Sequence, residues 1–191
     1  MTRTLSLGAF LMATGHHVSA WRHPDVPADG GLDFRLYKRL AQVAEAAKFD
    51  AVFVADSVAA PTAEIASRMA RSDHFEPLTL LSALAAVTER IGLIGTVTTS
   101  YNEPYHVARK FASLDHLSAG RAGWNLVTSD AAAEALNFNR QEHFGHAERY
   151  ARAREFHEVV TGLWDSWEDD AFTRDKASGQ YYDPAKLHAV S

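Results

Sequence analysis

The chain has 191 residues, of which 47% are hydrophobic and 23% are charged, and its formal net charge is −5 at pH 7. This length and composition predict one soluble domain, and the negative charge argues against nucleic acid or an anionic membrane as the main partner. The absence of cysteine excludes a disulfide framework and a thiolate nucleophile. No apolar run approaches the ~20 residues of a membrane span and no secretory signal pattern precedes the first one, so we expect a cytoplasmic protein.

The first part of the chain predicts two strand–helix units. The apolar run from Leu5 to Phe10 predicts the first strand, and a second strand is predicted from Ala51 to Ala55, directly before Asp56. Between them, apolar side chains recur at helical spacing, at Leu36, Leu40, Val43 and Ala47. Pro77 opens a second helix, which extends to Val87.

The next part of the chain repeats this order. The run from Ile91 to Val97 lacks the alternation of a half-exposed strand, which indicates a strand covered on both faces, and polar residues follow it from Thr98 to Tyr101. A helix is predicted from Pro104 to Leu117, and the next strand runs from Gly123 to Thr128. So short a return between two buried strands predicts a right-handed βαβ crossover. A long amphipathic helix from about His146 to Trp167 completes the fourth unit.

Four strand–helix units leave two possible architectures. A complete (βα)8 barrel typically needs ~250 residues, so either the sheet is open and complete or the barrel is cut in half. A half barrel leaves its first and fourth strands as unpaired apolar edges. No glycine-rich pattern such as GxGxxG follows the first strand, which argues against an unrelated nucleotide-binding sheet. No linker divides residues 1–191, which end in a polar tail from Asp169 to Ser191.

Five blocks of sequence, spread in order over most of the chain, resemble a known family. They are GAFLMATGHHVSAWRHP, FVADS, TTSYNEPYHVARKFASLDHLSAGRAGWNLVTS, HFGHAERYARAREFHEVVTGLWDSW and DKASGQYYDP. The chain is similar to the bacterial luciferase-like flavin-dependent monooxygenases, in the branch of nitrilotriacetate, dibenzothiophene-sulfone and long-chain alkane monooxygenases. This resemblance implies an α/β fold of the luciferase-like (βα)8 TIM-barrel type. Residues 1–191 would then be its N-terminal half, the first four βα units of one domain.

The resemblance also implies a two-component oxygenation reaction. A separate NAD(P)H-dependent flavin reductase supplies reduced FMN, which reacts with O2 to give a C4a-peroxyflavin that oxygenates a small organic substrate. Homo-oligomeric assembly is a further expectation, whereas the substrate is not specified, because the branch acts on chemically different compounds. Since the second half of the barrel supplies phosphate contacts and much of the substrate pocket in the family, we expect residues 1–191 alone to bind FMN weakly and to be inactive.

Polar residues at three predicted strand ends are candidate flavin contacts. Asp56 follows the second strand, and its alternative role is that of a loop-anchoring or helix-capping aspartate. Thr96 and Thr98 share a strand face, with Thr98 nearer the strand end, although threonine is also common in strands for structural reasons. Asn125 places an amide within an apolar run, where it is either a cofactor contact or a structural amide. The resemblance favours flavin contact at Asp56, at Asn125 and at one of the threonines, with Thr98 preferred. Trp124 lies on the opposite strand face from Asn125 and is predicted to pack against a helix.

Three further positions come from the resemblance. His146 and Tyr150 are four residues apart, hence on one helix face, and match two flavin contacts of the family. Without the resemblance, a histidine at a helix start and a core tyrosine are the simpler interpretation. In the loop after the first strand, His16 matches a histidine on the substrate side of the flavin, where it would donate a proton or orient the substrate, and His17 is the competing position.

The sequence also bears on a metal site and on two other function classes. Adjacent His16 and His17 point to opposite faces of an extended chain, and His143 and His146 lack an HExxH pattern, so no metal site is predicted. A deazaflavin-dependent reductase of the same superfamily is one alternative. Comparing the affinity of the protein for FMN and for the deazaflavin cofactor distinguishes this reductase from the monooxygenase. A flavin-binding protein without activity is the other alternative. O2 uptake coupled to substrate oxidation would identify the monooxygenase and exclude such a binding protein.

Overall fold

The computed structural model describes residues 5–59 and 64–190. Within these residues, four parallel strands form one sheet in the order β1-β2-β3-β4. The strands are β1 Gly8–Phe10, β2 Ala51–Val54, β3 Gly92–Thr98 and β4 Ala122–Val127. Each strand pairs with the next one along the chain, without the reversal of order that marks an open doubly wound sheet. This order is that of a barrel segment and confirms the predicted α/β class with four βα units.

One long helix follows each strand. The helices are α1 Phe34–Ala46, α2 Pro77–Ala85, α3 Pro104–Ser118 and α4 His146–Trp164. Short 3-10 turns lie at Ala20–Arg22, Gly30–Leu32, Glu64–Arg68, Ala132–Phe138 and Pro184–Lys186. Prolines occupy the first turn of α2 and α3, as predicted, because their missing N–H is not needed there. In the described ranges, none of the helices combines the length and apolarity that crossing a membrane requires.

Two element boundaries differ from the sequence prediction by three residues. The first strand begins at Gly8 rather than Leu5, whose side chain is 89% exposed. Leu7 is held instead by Asp50, whose carboxylate accepts from the Leu7 N–H at 2.6 Å, so the regular ladder starts one residue later. The last helix ends at Trp164, three residues before the predicted end at Trp167, because the following chain turns back and Trp167 forms an isolated antiparallel bridge.

The core lies between the sheet and its covering helices. Its most deeply buried apolar side chains include Leu81, Leu84, Ile91, Leu93, Val107, Leu114 and Val160. Trp124 of β4 packs on this side, with its ring 5.8 Å from that of Phe111 and 6.0 Å from that of Phe156. The indole N–H donates to the carbonyl oxygen of Val97 at 3.0 Å. The prediction that Trp124 packs against a helix is confirmed.

The amino ends of the strands are tied together by two polar side chains. On α1, Oε1 of Glu45 accepts from the backbone N–H groups of Glu89, Arg90 and Ile91, at 2.9, 2.7 and 3.0 Å. The side chain of Arg121, just before β4, makes five hydrogen bonds, to Ala85, Thr88, Ile91 and Ser118. These contacts close the end of the sheet opposite the predicted site.

β1 and β4 form the two sides of the sheet. In the part of the chain that the structure describes, no further strand pairs with the outer edge of either one. Phe10 of β1 is 42% exposed, and every residue of β4 is partly exposed. The sheet therefore presents two open parallel edges, as expected for the first half of a barrel.

Candidate functional site

Two adjacent cavities open at the carboxyl ends of the strands. The first, here called the β2–β4 cavity, has a volume of about 240 Å³ and is lined by residues that end β2, β3 and β4. The second, the β1–β2 cavity, has a volume of about 270 Å³ and lies between the ends of β1 and β2 and the segment 70–75. Asp56 and Ser57 line both cavities, so they form the wall between them. In a parallel α/β protein this end of the sheet is where ligands bind.

Asp56 directs its carboxylate into this shared wall. Its Oδ1 lies 3.3 Å from Nε2 of His74, and the two side chains are 19% and 39% exposed. The hydrogen bond to Asp56 raises the pKa of His74, and burial opposes the increase. Asp56 does not cap a helix. It anchors the loop that carries His74 and also lines both cavities, so its anchoring role leaves it available for the predicted ligand contact.

The two candidate threonines are buried and both line the β2–β4 cavity. Oγ1 of Thr98 lies 2.9 Å from Oγ of Ser129 and accepts from the Ser100 N–H at 3.1 Å. Oγ1 of Thr96 accepts from Nδ2 of Asn125 at 3.0 Å. Asn125 is half-buried and is not among the residues that line the cavity. Its hydrogen bond to Thr96 connects it to one of the two predicted threonines, which does line the cavity.

The structure brings His146 and Tyr150 together but not to the strand ends. Their ring centroids are 4.8 Å apart at the start of α4, and both side chains are exposed. Neither is among the residues that line the two cavities. Tyr150 is 49% exposed, so it is not the core tyrosine of the simpler interpretation.

His16 lies at the end of β1. Its Nε2 is 3.1 Å from the carbonyl oxygen of Phe10, and the two rings meet edge to face at 4.7 Å. Phe10 lines the β1–β2 cavity, so His16 contacts a residue of the cavity wall without being a lining residue itself. His17 is exposed, and its Nδ1 accepts from the Ser19 N–H within its own loop at 3.1 Å. Of the two histidines, only His16 contacts a residue of the site.

Several lining residues were not predicted from the sequence. The main ones are Ser57, His74, Ser129, Asp130 and Glu134. Glu134 is 4% exposed, and its Oε1 accepts from Oγ of Ser57 at 3.2 Å. The only sequence signal for it is a single acidic residue inside the run AAAEAL, where an exposed helical turn would carry more polar residues.

A hydrogen-bonded chain supports the loop after β4. The His143 Nε2 lies 3.1 Å from the Ser129 carbonyl oxygen, which only accepts, so Nε2 carries the proton and Nδ1 accepts from the Tyr101 hydroxyl at 2.5 Å. Arg149 donates to the same carbonyl. Burial raises the pKa of Tyr101, and the nearby Glu134 carboxylate adds to the increase. These contacts place Ser129 beside Thr98 at the cavity.

The two cavities differ in chemical character. Hydroxyls and three acidic side chains, Asp56, Asp130 and Glu134, line the β2–β4 cavity, and none of its described lining residues is cationic. The β1–β2 cavity is mostly apolar, with Arg71 and His74 as its basic groups. No cluster of three or more His, Asp or Glu side chains able to hold a metal ion occurs among residues 5–59 and 64–190.

Comparison with known proteins identifies a matching family and similar sequences. Residues 9–191 match the luciferase-like monooxygenase family. N-acetyl-S-(2-succino)cysteine monooxygenase of Bacillus subtilis (strain 168) is 52% identical over 189 residues, which are 99% of this chain and 42% of that protein. Nitrilotriacetate monooxygenase component A of Aminobacter aminovorans is 46% identical over 99% of this chain and 44% of its own length.

Solved structures agree with these relatives. The crystal structure of a long-chain alkane monooxygenase has a TM-score of 0.91 and 39% identity, covering 98% of this chain and 45% of that one. A riboflavin lyase, solved with modified FMN and its substrate riboflavin, has a TM-score of 0.87 and 36% identity over 98% of this chain and 44% of that one. The chain thus spans less than half the length of these proteins. The predicted TIM-barrel type and the predicted branch are confirmed, and the chain belongs to the luciferase-like monooxygenase family.

Proposed function

We propose that this chain forms one side of the active site of a flavin-dependent monooxygenase that uses reduced FMN and O2 to oxygenate a small organic substrate. The observation that carries the proposal is the pair of adjacent cavities at the strand ends, one polar and one mostly apolar, divided by Asp56 and Ser57. Two adjoining cavities of this kind can hold the polar edge of a cofactor next to an apolar substrate.

The residues of the β2–β4 cavity fit the ring system of a flavin better than its phosphate. The hydroxyls of Thr96, Thr98 and Ser129 can donate to or accept from a heterocycle edge. The acidic lining repels a phosphate, and none of the described lining residues is cationic. We therefore assign the ring or ribityl part of FMN to this cavity and the phosphate to a site outside it.

When bound, reduced flavin supplies the activation of O2, and the chain's own residues supply binding, orientation and exclusion of water. Thr98 and Ser129, already joined at 2.9 Å, hold the cofactor edge. Asn125 fixes the Thr96 hydroxyl from the neighbouring strand. The apolar lining of the β1–β2 cavity, which includes Phe10, Met12 and Phe75, accepts the body of the substrate and keeps water out. His16, which contacts Phe10, is assigned to the substrate side.

An NAD(P)H-dependent flavin reductase delivers reduced FMN by transient contact, in keeping with the name "component A" of a relative. The complete enzyme forms a homo-oligomer. His146 and Tyr150, which lie outside both cavities, meet the cofactor only where FMN extends beyond the β2–β4 cavity. Each cavity is smaller than the ~300–1,000 Å³ of typical ligand pockets, so we expect residues 1–191 to bind FMN weakly and without turnover.

An NMR titration with FMN tests the proposal. Wild type is expected to show shifts at the ends of β2, β3 and β4, and Thr98→Val is expected to weaken binding about tenfold by losing one hydrogen bond. Thr161→Val is the matched control, because the Thr161 hydroxyl bonds only within α4. No shift with millimolar FMN, or shifts confined to the amino ends of the strands, contradicts the proposal. Tighter binding of a deazaflavin cofactor than of FMN would instead favour the reductase alternative.

A further inference from the structure

Arg71 places a cation at the wall of a mostly apolar cavity. It is half-buried and lines the β1–β2 cavity. Its Nη2 donates to the His16 carbonyl oxygen at 2.6 Å, and its Nη1 donates to Sδ of Met12 at 3.3 Å. Neither acceptor is charged, and no carboxylate of the described residues lies within 4.0 Å of the guanidinium. A partly buried charge without a counter-charge is costly, so this arrangement points to an anionic ligand.

The Arg71 guanidinium keeps donors that face the cavity. Two of its five N–H groups bind Met12 and His16, so three have no partner among the described residues. Nε is one of these, and it is not sealed from solvent as Nε of Arg149 is. The two existing contacts fix the plane of the group. A planar guanidinium held in this way matches the two oxygens of a carboxylate.

The other charged groups that line this cavity act on one another. Oδ1 of Asp56 lies 3.3 Å from Nε2 of His74. This hydrogen bond is the main cause of the raised pKa of His74, and the Asp73 carboxylate adds to the increase. Both acids therefore lie near His74, and neither forms an ion pair with Arg71. Because two negative charges repel a doubly charged phosphate more strongly than a singly charged group, the cavity favours a single carboxylate.

The rest of the β1–β2 cavity suits an uncharged molecular body. Its lining includes the side chains of Phe10, Val54 and Phe75. The two partners of Arg71 follow β1, whereas the wall shared with the β2–β4 cavity follows β2. A ligand whose carboxylate binds Arg71 therefore extends its apolar body from the β1 side toward that wall.

We infer that the β1–β2 cavity binds an organic acid, whose carboxylate is held by Arg71 and whose apolar part is directed toward the cofactor cavity. Calling this acid the substrate rests on the proposed function, whereas the carboxylate site itself can be tested without FMN. Arg71 is thus a binding residue that selects acids over their neutral analogues. Its bond to the His16 carbonyl oxygen also joins the carboxylate site to the loop of the predicted substrate-side histidine.

Three probes with the same carbon chain test the charge preference: hexanoate, hexanamide and hexylammonium. NMR at constant ionic strength follows the methyl group of Met12, because its sulfur contacts Arg71. Wild type is expected to bind hexanoate about tenfold more tightly than hexanamide, the effect of one charge-assisted hydrogen bond, and hexylammonium most weakly. Equal affinity for acid and amide, or no shift of Met12 with any probe, overturns the inference. So does tightest binding of hexylammonium, because Asp56 and Asp73 would then set the charge of the cavity.

Variants of Arg71 separate binding from support of the fold. Arg71→Gln is expected to weaken hexanoate about tenfold and to leave hexanamide unchanged. Arg71→Lys should keep part of the preference for the acid, because it keeps the charge but not the planar fork. Arg68→Gln is the matched control, since the Arg68 side chain is exposed and pairs only with Glu64 among the described residues. An equal loss of affinity for acid and amide in Arg71→Gln overturns the inference, because a structural effect does not follow the charge of the probe.

The FMN titration keeps this inference distinct from the proposed function. Arg71→Gln should leave the FMN-induced shifts at Thr98 and Ser129 unchanged, since both residues line the other cavity. If wild type binds FMN but does not prefer hexanoate, the carboxylate assignment is overturned while the proposed function stands. If wild type prefers hexanoate but fails to bind millimolar FMN, the proposed function is overturned and the carboxylate site stands.

Discussion

The carboxylate of Asp56 and the imidazole of His74 meet at 3.3 Å and join the end of β2 to the segment that walls the β1–β2 cavity. This contact links residues 18 positions apart in the chain. It places a titratable pair at the boundary between the two cavities, so the protonation of His74 affects both the local fold and the charge of the site.

The pKa of His74 should depend on Asp56. The hydrogen bond to Asp56 raises this pKa above the ordinary value of 6.5, with a smaller contribution from Asp73. We expect Asp56→Asn to lower the pKa of His74, as followed by NMR titration of the imidazole. Because the folded-state pKa is raised, the stabilising contribution is complete below pH 6.5 and is lost as the pH rises through the folded-state pKa. His74→Gln should therefore destabilise the protein more at pH 5.5 than at pH 8.5, and an equal effect at both values contradicts the ion-pair assignment.

Gly31 should be intolerant of any side chain. A Cβ at this position would lie 1.9 Å from the carbonyl oxygen of Asp73, so the segment next to His74 would have to move. We expect Gly31→Ala to lower the free energy of unfolding by about 1–3 kcal/mol and to alter the β1–β2 cavity. Gly8→Ala is the control, because nothing lies within 4 Å of its Cβ position. Urea denaturation measures both variants, and equal stabilities would contradict the prediction by showing that the segment 70–75 adapts freely.

Glu45 should stabilise the protein in a pH-dependent way. Burial would raise the pKa of its carboxyl group, but three backbone N–H donors, from Arg90, Ile91 and Glu89, prevail and lower it below 4.5. The stabilising contribution is therefore present above pH 4.5 and is lost as the pH falls through the folded-state pKa. Glu45→Gln should cost about 1–3 kcal/mol at pH 7 and less near pH 3.5. Urea unfolding at the two pH values tests this, with the exposed Glu155→Gln as the control.

Arg121 should not be replaceable by lysine. Its guanidinium uses three nitrogens to reach Ser118, Thr88, Ile91 and Ala85, a pattern that a single ammonium group cannot reproduce. We expect Arg121→Lys to lower the free energy of unfolding by about 2 kcal/mol. The exposed Arg109→Lys should have no effect. Since Arg121 lies at the amino ends of the strands, NMR shifts at Thr98 and Ser129 should remain unchanged, and large shifts there would contradict the separation of the two ends.

Whether a residue of the candidate site can be predicted from the sequence depends on where it lies in the chain. Asp56, Thr96 and Thr98 were predicted because a polar residue next to a buried strand is visible in a short window of sequence. His74 and Glu134 were missed, because each comes from a loop without periodicity and reaches the site only through one distant contact. Asn125 was predicted as a flavin contact, yet it donates to Thr96, and only the register of β3 against β4 reveals this partner.

The sequence by itself determined the parallel α/β class, the order of the four βα units and the side on which Trp124 packs, since these follow from local apolar runs, from proline at helix starts and from strand alternation. Only the tertiary structure decided that the strand ends form two cavities, that Asp56 and Ser57 divide them and that Glu134 is buried beside one of them. The physical reason is that burial and pairing depend on segments far apart in the chain, such as Ser57 and Glu134, which are 77 positions apart.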